Sequence, residues 1–175
     1  MVRKQREKAE VGDAVAMYNL GQYYFHGING VKEDRSEAAR WFQRSADRGD
    51  EDGLSLLGYC FLLGLGVKED NGRGLAYLME GATLGSEYGC YLVGDAFAAG
   101  YYSLPVDAKQ AAKWYRKMPR CKSMSSSEEA RRKATSWLRD QASASHCEYV
   151  VFDSEAGRVV SPADRVTHTT GPVPF

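Results

Sequence analysis

Charge of one sign is missing from this chain: its 175 residues carry 23 Lys plus Arg against 23 Asp plus Glu, a formal net charge of zero. A neutral chain has no overall basic field to recruit nucleic acid or an anionic membrane surface, which disfavours both as partners. Cysteine is scarce as well. Cys60, Cys90, Cys121 and Cys147 stand 30, 31 and 26 residues apart with no CxxC pair. That spacing lacks both the paired cysteines of a zinc site and the density of a disulfide-stapled secreted domain, so reduced, intracellular thiols are expected. No apolar run reaches membrane-spanning length. Met1 to Lys8 is mostly charged and leads into no apolar stretch, so no secretory signal is read there and a cytoplasmic location is expected. What is present is 43% hydrophobic and 11% aromatic residues, enough to fill a core.

Catalytic signatures are also missing. There is no HExxH and no Walker loop, and no nucleophile, base and orienting group can be assembled. Gly53-Leu54-Ser55 begins like a GxSxG elbow, but Leu57 stands where the second glycine is required. Gly64-Leu65-Gly66 suggests a phosphate loop, yet Glu69 occupies the third glycine position and no strand precedes it. No catalytic residue, cofactor or small-molecule substrate is therefore expected.

An internal period is present, and it decides the reading. Leu20-Gly21 with Tyr24 and Gly27 recurs as Leu57-Gly58 with Phe61 and Gly64, then as Val93-Gly94 with Phe97 and Gly100, at shifts of 37 and 36 residues. Gly30-Val31-Lys32-Glu33-Asp34 returns unchanged as Gly66-Val67-Lys68-Glu69-Asp70. Ala38-Ala39 with Trp41-Phe42 and Ala46 returns as Gly74-Leu75 with Tyr77-Leu78 and Ala82, then as Ala111-Ala112 with Trp114-Tyr115. The third copy departs from the pattern: Leu104-Pro105-Val106-Asp107 replaces GVKED, and Pro119 stands where Ala46 and Ala82 do, so its second helix should end early.

Each copy reads as two helices. Ala16, Leu20, Gly21 and Tyr24 share one helical face, and Ala38, Trp41, Phe42 and Ser45 share another. Asp34 with Glu37, and Asp107 with Gln110, match a capping box. Gly27, Gly49, Gly64 and Gly85 sit where helices must stop. Gly21, Gly58 and Gly94 fall inside helices, where glycine costs about 1 kcal/mol relative to alanine, and close approach of a neighbouring helix is the expected compensation. The three tryptophans, Trp41, Trp114 and Trp137, are expected in the core from their common repeat position.

A helical hairpin cannot bury its apolar face alone, whereas stacked hairpins share a continuous core. The expected fold is all-α, a short right-handed α-solenoid of antiparallel helix pairs. The pattern Ala, Leu-Gly, aromatic, Gly-x-Gly-Val, Asp, Ala, Trp-Tyr, Ala, Gly resembles the Sel-one-like repeat (SLR) family over residues 10 to 120. The resemblance implies a tetratricopeptide-like solenoid serving as an adaptor or scaffold for protein assembly, and it implies no chemistry.

The expected organisation is a partial helix over 1–12, repeats over 13–48, 49–84 and 85–120, a loop with a capping helix over 121–142, and a tail over 143–175. The capping helix is read from an N-cap at Ser127 and from Ala134, Trp137, Leu138 and Ala142, which keep the spacing of Ala38, Trp41, Phe42 and Ala46. In the mostly irregular tail, Glu148 to Phe152 and Arg158 to Val160 flank Asp153 to Gly157 like a small β-hairpin.

The informative surface is the face of each first helix that points away from Leu20, Leu57 and Val93. Copy one offers Asn19, Gln22, Tyr23 and His26; copy two offers Leu56, Tyr59, Cys60 and Leu63; copy three offers Leu92, Asp95, Ala96 and Ala99. First helices line the inner curve of such arrays, so a partner peptide or helix is expected there, at Asn19, Gln22, Tyr23, His26, Leu56, Tyr59, Leu63 and Asp95. One step of helix rotation would exchange these residues for the packed face. Two alternatives remain open on the sequence. One is a metal protein or enzyme centred on His146, Cys147 and His168. The other is RNA binding through Arg3, Lys4 and Arg6 with Arg131, Arg132 and Lys133.

Overall fold

The computed structural model describes residues 2–118, 125–147, 151–153 and 158–160. Aspartate and serine punctuate the chain into helices. Asp13, Asp34, Asp50, Asp70, Ser86 and Asp107 each accept a hydrogen bond from a backbone N–H two or three residues onward, satisfying a donor that a helix start leaves unpaired. They open α2 (Ala14–His26), α3 (Arg35–Ala46), α4 (Glu51–Leu63), α5 (Asn71–Leu84), α6 (Glu87–Ala99) and α7 (Ala108–Lys117). Of the expected capping box only half forms, because Glu37 turns to Arg40 at 3.3 Å instead of reaching back to Asp34. Gly27, Gly64 and Gly100 close the three first helices in the left-handed conformation.

The loop inside each repeat is closed by one recurring bond. The cap N–H of Asp34, Asp70 and Asp107 donates to the carbonyls of Tyr24, Phe61 and Phe97, each at 2.9 Å. The aromatic and the aspartate of the repeat motif therefore meet through their backbones. α7 has 10 residues against 12 in α3 and 14 in α5, the early end expected of the third copy. Met118 leaves the helix at ψ 122°, as the residue before a proline must.

The core follows the two helical faces. Ala16, Leu20, Ala38, Phe42 and Ser45 are at most 1% exposed, as are Leu57, Leu78 and Val93. The interior glycines stand at close approaches. A Cβ on Gly21 would meet the ring of Phe42, and one on Gly94 would meet the ring of Tyr115. On Gly58 it would lie 2.7 Å from the Gly74 carbonyl oxygen and the Leu78 nitrogen, so two backbones approach where the second copy has Gly74 and Leu78 in place of Ala38 and Phe42. Trp41 is buried with Met17, Leu20 and Ala9, while Trp114 and Trp137 are only partly buried. Ahead of the first repeat, α1 (Val2–Glu10) packs on α2 and buries Ala9, the position of Ala46 and Ala82.

The chain divides into two compact units, Met1–Ala134 and Thr135–Phe175, and the division falls inside α8 (Ser125–Cys147). In the first unit α4 touches both α2 and α6, and no comparable contact joins α3 to α5 or α5 to α7. The first helices thus form the more closely spaced row, as on the inner side of a curved stack. α8 starts two residues before Ser127 and runs five past Ala142, so residues 143–147 are helical, and Ala142 is exposed where Ala46 and Ala82 are buried. The second unit also contains β1 (Val151–Asp153) and β2 (Arg158–Val160), antiparallel with Val151 opposite Val160. These two strands match the expected hairpin, residues 148–150 and 154–157 lying outside the described residues.

Candidate partner-binding face

The row of α2, α4 and α6 presents a set of tyrosines. Tyr59, on the outward side of α4, meets Tyr88 of α6 edge-on, with ring centroids 6.1 Å apart. Tyr88 sits close enough to Tyr59, Tyr91, Tyr102 and Tyr18 for each of those phenols to act on it electrostatically, and burial pushes its own hydroxyl well above the ordinary tyrosine range. Tyr18 and Tyr91 share a repeat position and pack alike: Tyr18 lies 6.3 Å from Phe42, and Tyr91 stacks 6.3 Å from Tyr115. Burial raises Tyr18, Tyr91 and Tyr102 too.

Tyr102 is held at a cost. It follows Gly100 in a single 3-10 turn, Tyr101–Ser103, at φ 56° and ψ 36°. Asn29 (φ 59°) occupies the same position in the first copy, while Gly66 (φ 75°) aligns with Gly30 and with Ser103 (φ 66°). Asparagine and glycine tolerate the left-handed region, whereas a tyrosine there costs about 1 kcal/mol or more.

Carboxylates complete the face. Asp52 is partly buried and accepts a 2.7 Å hydrogen bond from the Ser86 hydroxyl, which itself accepts from the Gly89 N–H. Burial raises the Asp52 carboxyl above its ordinary range, and Glu51 and Glu87 add to the rise. Asp95 is raised by burial in the same way and lies 3.5 Å from the Tyr115 hydroxyl. Neither aspartate has an ion-pair partner among the described residues.

The residues expected at this face are placed unevenly. Leu63 is 44% exposed, and His26 is exposed with its ring edge-on to Phe25 at 5.0 Å. Asn19, Gln22, Tyr59 and Asp95 are partly buried, Gln22 donating to the Tyr18 hydroxyl at 3.0 Å. Tyr23 and Leu56 pack instead against core clusters, Tyr23 beside Ala9, Met17 and Trp41. Cys60 and Ala96, at the repeat position of Tyr23, are wholly buried, and burial pushes the Cys60 thiol up to about 12. Tyr18, Tyr88, Tyr91 and Tyr102 are the residues sequence reasoning missed. A readable signal existed for one pair: Tyr18 and Tyr91 fall one residue before Asn19 and Leu92 at the same repeat position.

The alternative sites fare differently. His146 and Cys147 lie in the last turn of α8, their side chains outside the described residues, as is His168 altogether. Among the described residues no group of His, Cys, Asp and Glu is arranged to hold a metal ion, and no helix is long and apolar enough to cross a membrane. Four residues of the basic ends have partners within the chain. Arg3 pairs with Glu7, Arg6 donates to the Tyr24 hydroxyl, Lys133 pairs with Glu129, and Arg131 makes a two-pronged contact with the buried Glu87.

Comparison with known proteins agrees with this architecture. The Sel1 repeat model matches residues 14–50, 52–86 and 87–118. A Sel1 repeat protein of Oxalobacter formigenes has a similar solved structure, with a TM-score of 0.62 and 28% identity over 66% of this chain and 46% of that one. The ERAD-associated E3 ubiquitin-protein ligase component HRD3A of Arabidopsis thaliana is 35% identical over 57 residues, 33% of this chain. A putative sel1-like repeat-containing protein of Acanthamoeba polyphaga mimivirus is 44% identical over 46 residues, 26% of this chain. The matched stretches span 8% of the length of each of these two curated relatives. With three copies matched over more than half its length and the same helix pairs stacked in the same order, this chain belongs to the Sel1 repeat family.

Proposed function

We propose that the chain is a non-catalytic protein-interaction module, an adaptor or scaffold that binds a peptide or helix of a partner protein on the row of first helices. The observation that carries this reading is the tyrosine set around Tyr59 and Tyr88, partly open to solvent and bordered by the exposed Leu63. Aromatic side chains give large contact area at low entropic cost and dominate binding energy where they cluster. The face runs across three repeats, so an extended segment could contact each in turn. Asn19, Gln22, His26, Leu56 and Asp95 would flank the anchors, and Tyr23 would brace them from the core side. The family generally serves protein–protein interaction, which supports the same reading.

The test replaces Tyr59 with Ala and Leu63 with Ser together. Proteins captured by the native chain at near-physiological salt, identified by mass spectrometry, should be held more than about tenfold less well by the variant, the scale of one lost hot spot. Circular dichroism and melting temperature should change little. Undiminished capture by a folded variant would move the binding surface elsewhere.

A further inference from the structure

Among the described residues four aromatic rings are covered by the molecule's own cations, each cation carried on a second helix. Arg35 lies over Phe25 at 4.2 Å, Arg44 over Trp41 at 4.4 Å, Arg73 over Phe61 at 4.5 Å and Lys117 over Trp114 at 4.9 Å. The tyrosines around Tyr88 differ. Among the described residues no cation lies over Tyr59, Tyr88 or Tyr102, although these rings gather in one place. Carboxylates border this set: Asp95 acts electrostatically on Tyr102 and Tyr91, and Asp52 on Tyr18, whose phenol in turn acts on Tyr88. Among the described residues Lys133 is close enough to act on Tyr91 and Asp95, while its ammonium pairs with Glu129 at 2.9 Å.

We infer that this face receives an arginine or lysine side chain from a basic partner peptide, seated among Tyr59, Tyr88 and Tyr102 with Asp52 and Asp95 as counter-charges. The inference rests on the binding face proposed above and specifies the chemistry of its occupant. Tyrosine faces attract a cation through the ring quadrupole, more strongly where water is excluded. A partly desolvated carboxylate without an ionic partner gains when a cation arrives and loses further when an anion does. Acidic and phosphorylated segments are therefore disfavoured, and a planar guanidinium, which stacks and forks at once, is the better fit of the two cations. The position of Tyr102 agrees: the backbone is strained at a site where glycine would fit, and the tyrosine supplies a wall of this set.

The experiment is a selection from a random peptide library displayed on phage, run against the native chain and against Tyr59→Ala/Leu63→Ser. Peptides that depend on the face should be enriched in arginine or lysine. Their capture should fall at least about tenfold with Asp52→Asn/Asp95→Asn, and also with Asp95→Asn alone if the double variant melts early. Glu80→Gln, on an exposed position of α5, should leave capture unchanged, which separates a local effect from one of net charge. Tyr102→Gly should weaken capture without lowering the melting temperature. Face-dependent peptides that lack a cation, or basic peptides held equally by the aspartate variants, would overturn this inference and leave the binding face standing. If no selected peptide depends on Tyr59 and Leu63, the binding face itself fails and the inference falls with it.

Discussion

Replacing glycine by alanine at two positions of this chain should change stability in opposite directions. An alanine in a helix interior is worth up to about 1 kcal/mol over glycine by propensity alone. Gly72, exposed near the start of α5, is free to take that gain, since an added Cβ would meet only the Asp70 carboxylate at 3.5 Å. Gly58 is not. Its Cβ would stand 2.7 Å from the Gly74 carbonyl oxygen and the Leu78 nitrogen, and 3.1 Å from the Leu78 Cα, where ordinary contact begins at 3.4 Å. These are backbone atoms of α5 and cannot swing aside, so α5 must retreat by several tenths of an ångström along the seam that buries Leu57 and Leu78. Overpacking of this kind costs about 1–3 kcal/mol, and subtracting the propensity gain of about 1 kcal/mol leaves a net loss of up to about 2 kcal/mol. Gly72→Ala should gain a few tenths to about 1 kcal/mol. Urea unfolding followed by circular dichroism reads both changes as shifts in midpoint at constant slope. Equal shifts in one direction would refute the claim that backbone contact, and not helix propensity, explains the interior glycines.

Two further outcomes follow from burial. Trp41→Ala should cost about 3–5 kcal/mol, as a large aromatic lost from a core, while His26→Ala, at an exposed ring, should cost little. Trp41→Phe should cost much less than Trp41→Ala, because the buried indole N–H has no hydrogen-bond partner to lose; thermal melts of the three variants check this order. Burial raises Tyr18, Tyr88, Tyr91, Tyr102 and Tyr115 above the ordinary 10.0, and Cys60 from 9.0 to about 12. The unfolded chain sheds these protons first, so above pH 9 it binds fewer than the folded chain, and stability must fall as pH rises toward 12. The urea midpoint should be lower at pH 10.5 than at pH 8.5, and a flat or rising profile would contradict the burial of these hydroxyls.

Much of the fold was legible in the sequence because a repeat writes its instructions several times. The aspartates that cap helices, the glycines that end them and the two apolar faces recur at 36 or 37 residues, so each local rule is stated in triplicate. Even the truncation of α7 could be read, since a proline excludes helix at the residue before it. Where a feature occurs once, the reading drifted. α8 runs longer than its N-cap signal and repeat spacing indicated, and Ala142 is exposed where a later helix among the described residues covers Ala46 and Ala82.

The face proposed for binding was less legible, for a reason of rotation. Aligning Tyr23 with Cys60 and Ala96 put a core position among surface candidates, because in copy one the ring packs beside α1 while in copies two and three the smaller side chains are wholly buried. Periodicity fixed which residues share a helix face and where each helix begins and ends. It could not reveal that Tyr59, Tyr88 and Tyr102, 29 and 14 residues apart along the chain, come together, nor that Asp52 meets Ser86. Those meetings depend on how close one helix pair lies to the next. That distance is set where Gly53 of α4 meets Ser45 of α3 and where Gly89 of α6 meets the backbone of Ala82 in α5: the sequence supplies the bare glycines, and only stacking turns them into a spacing.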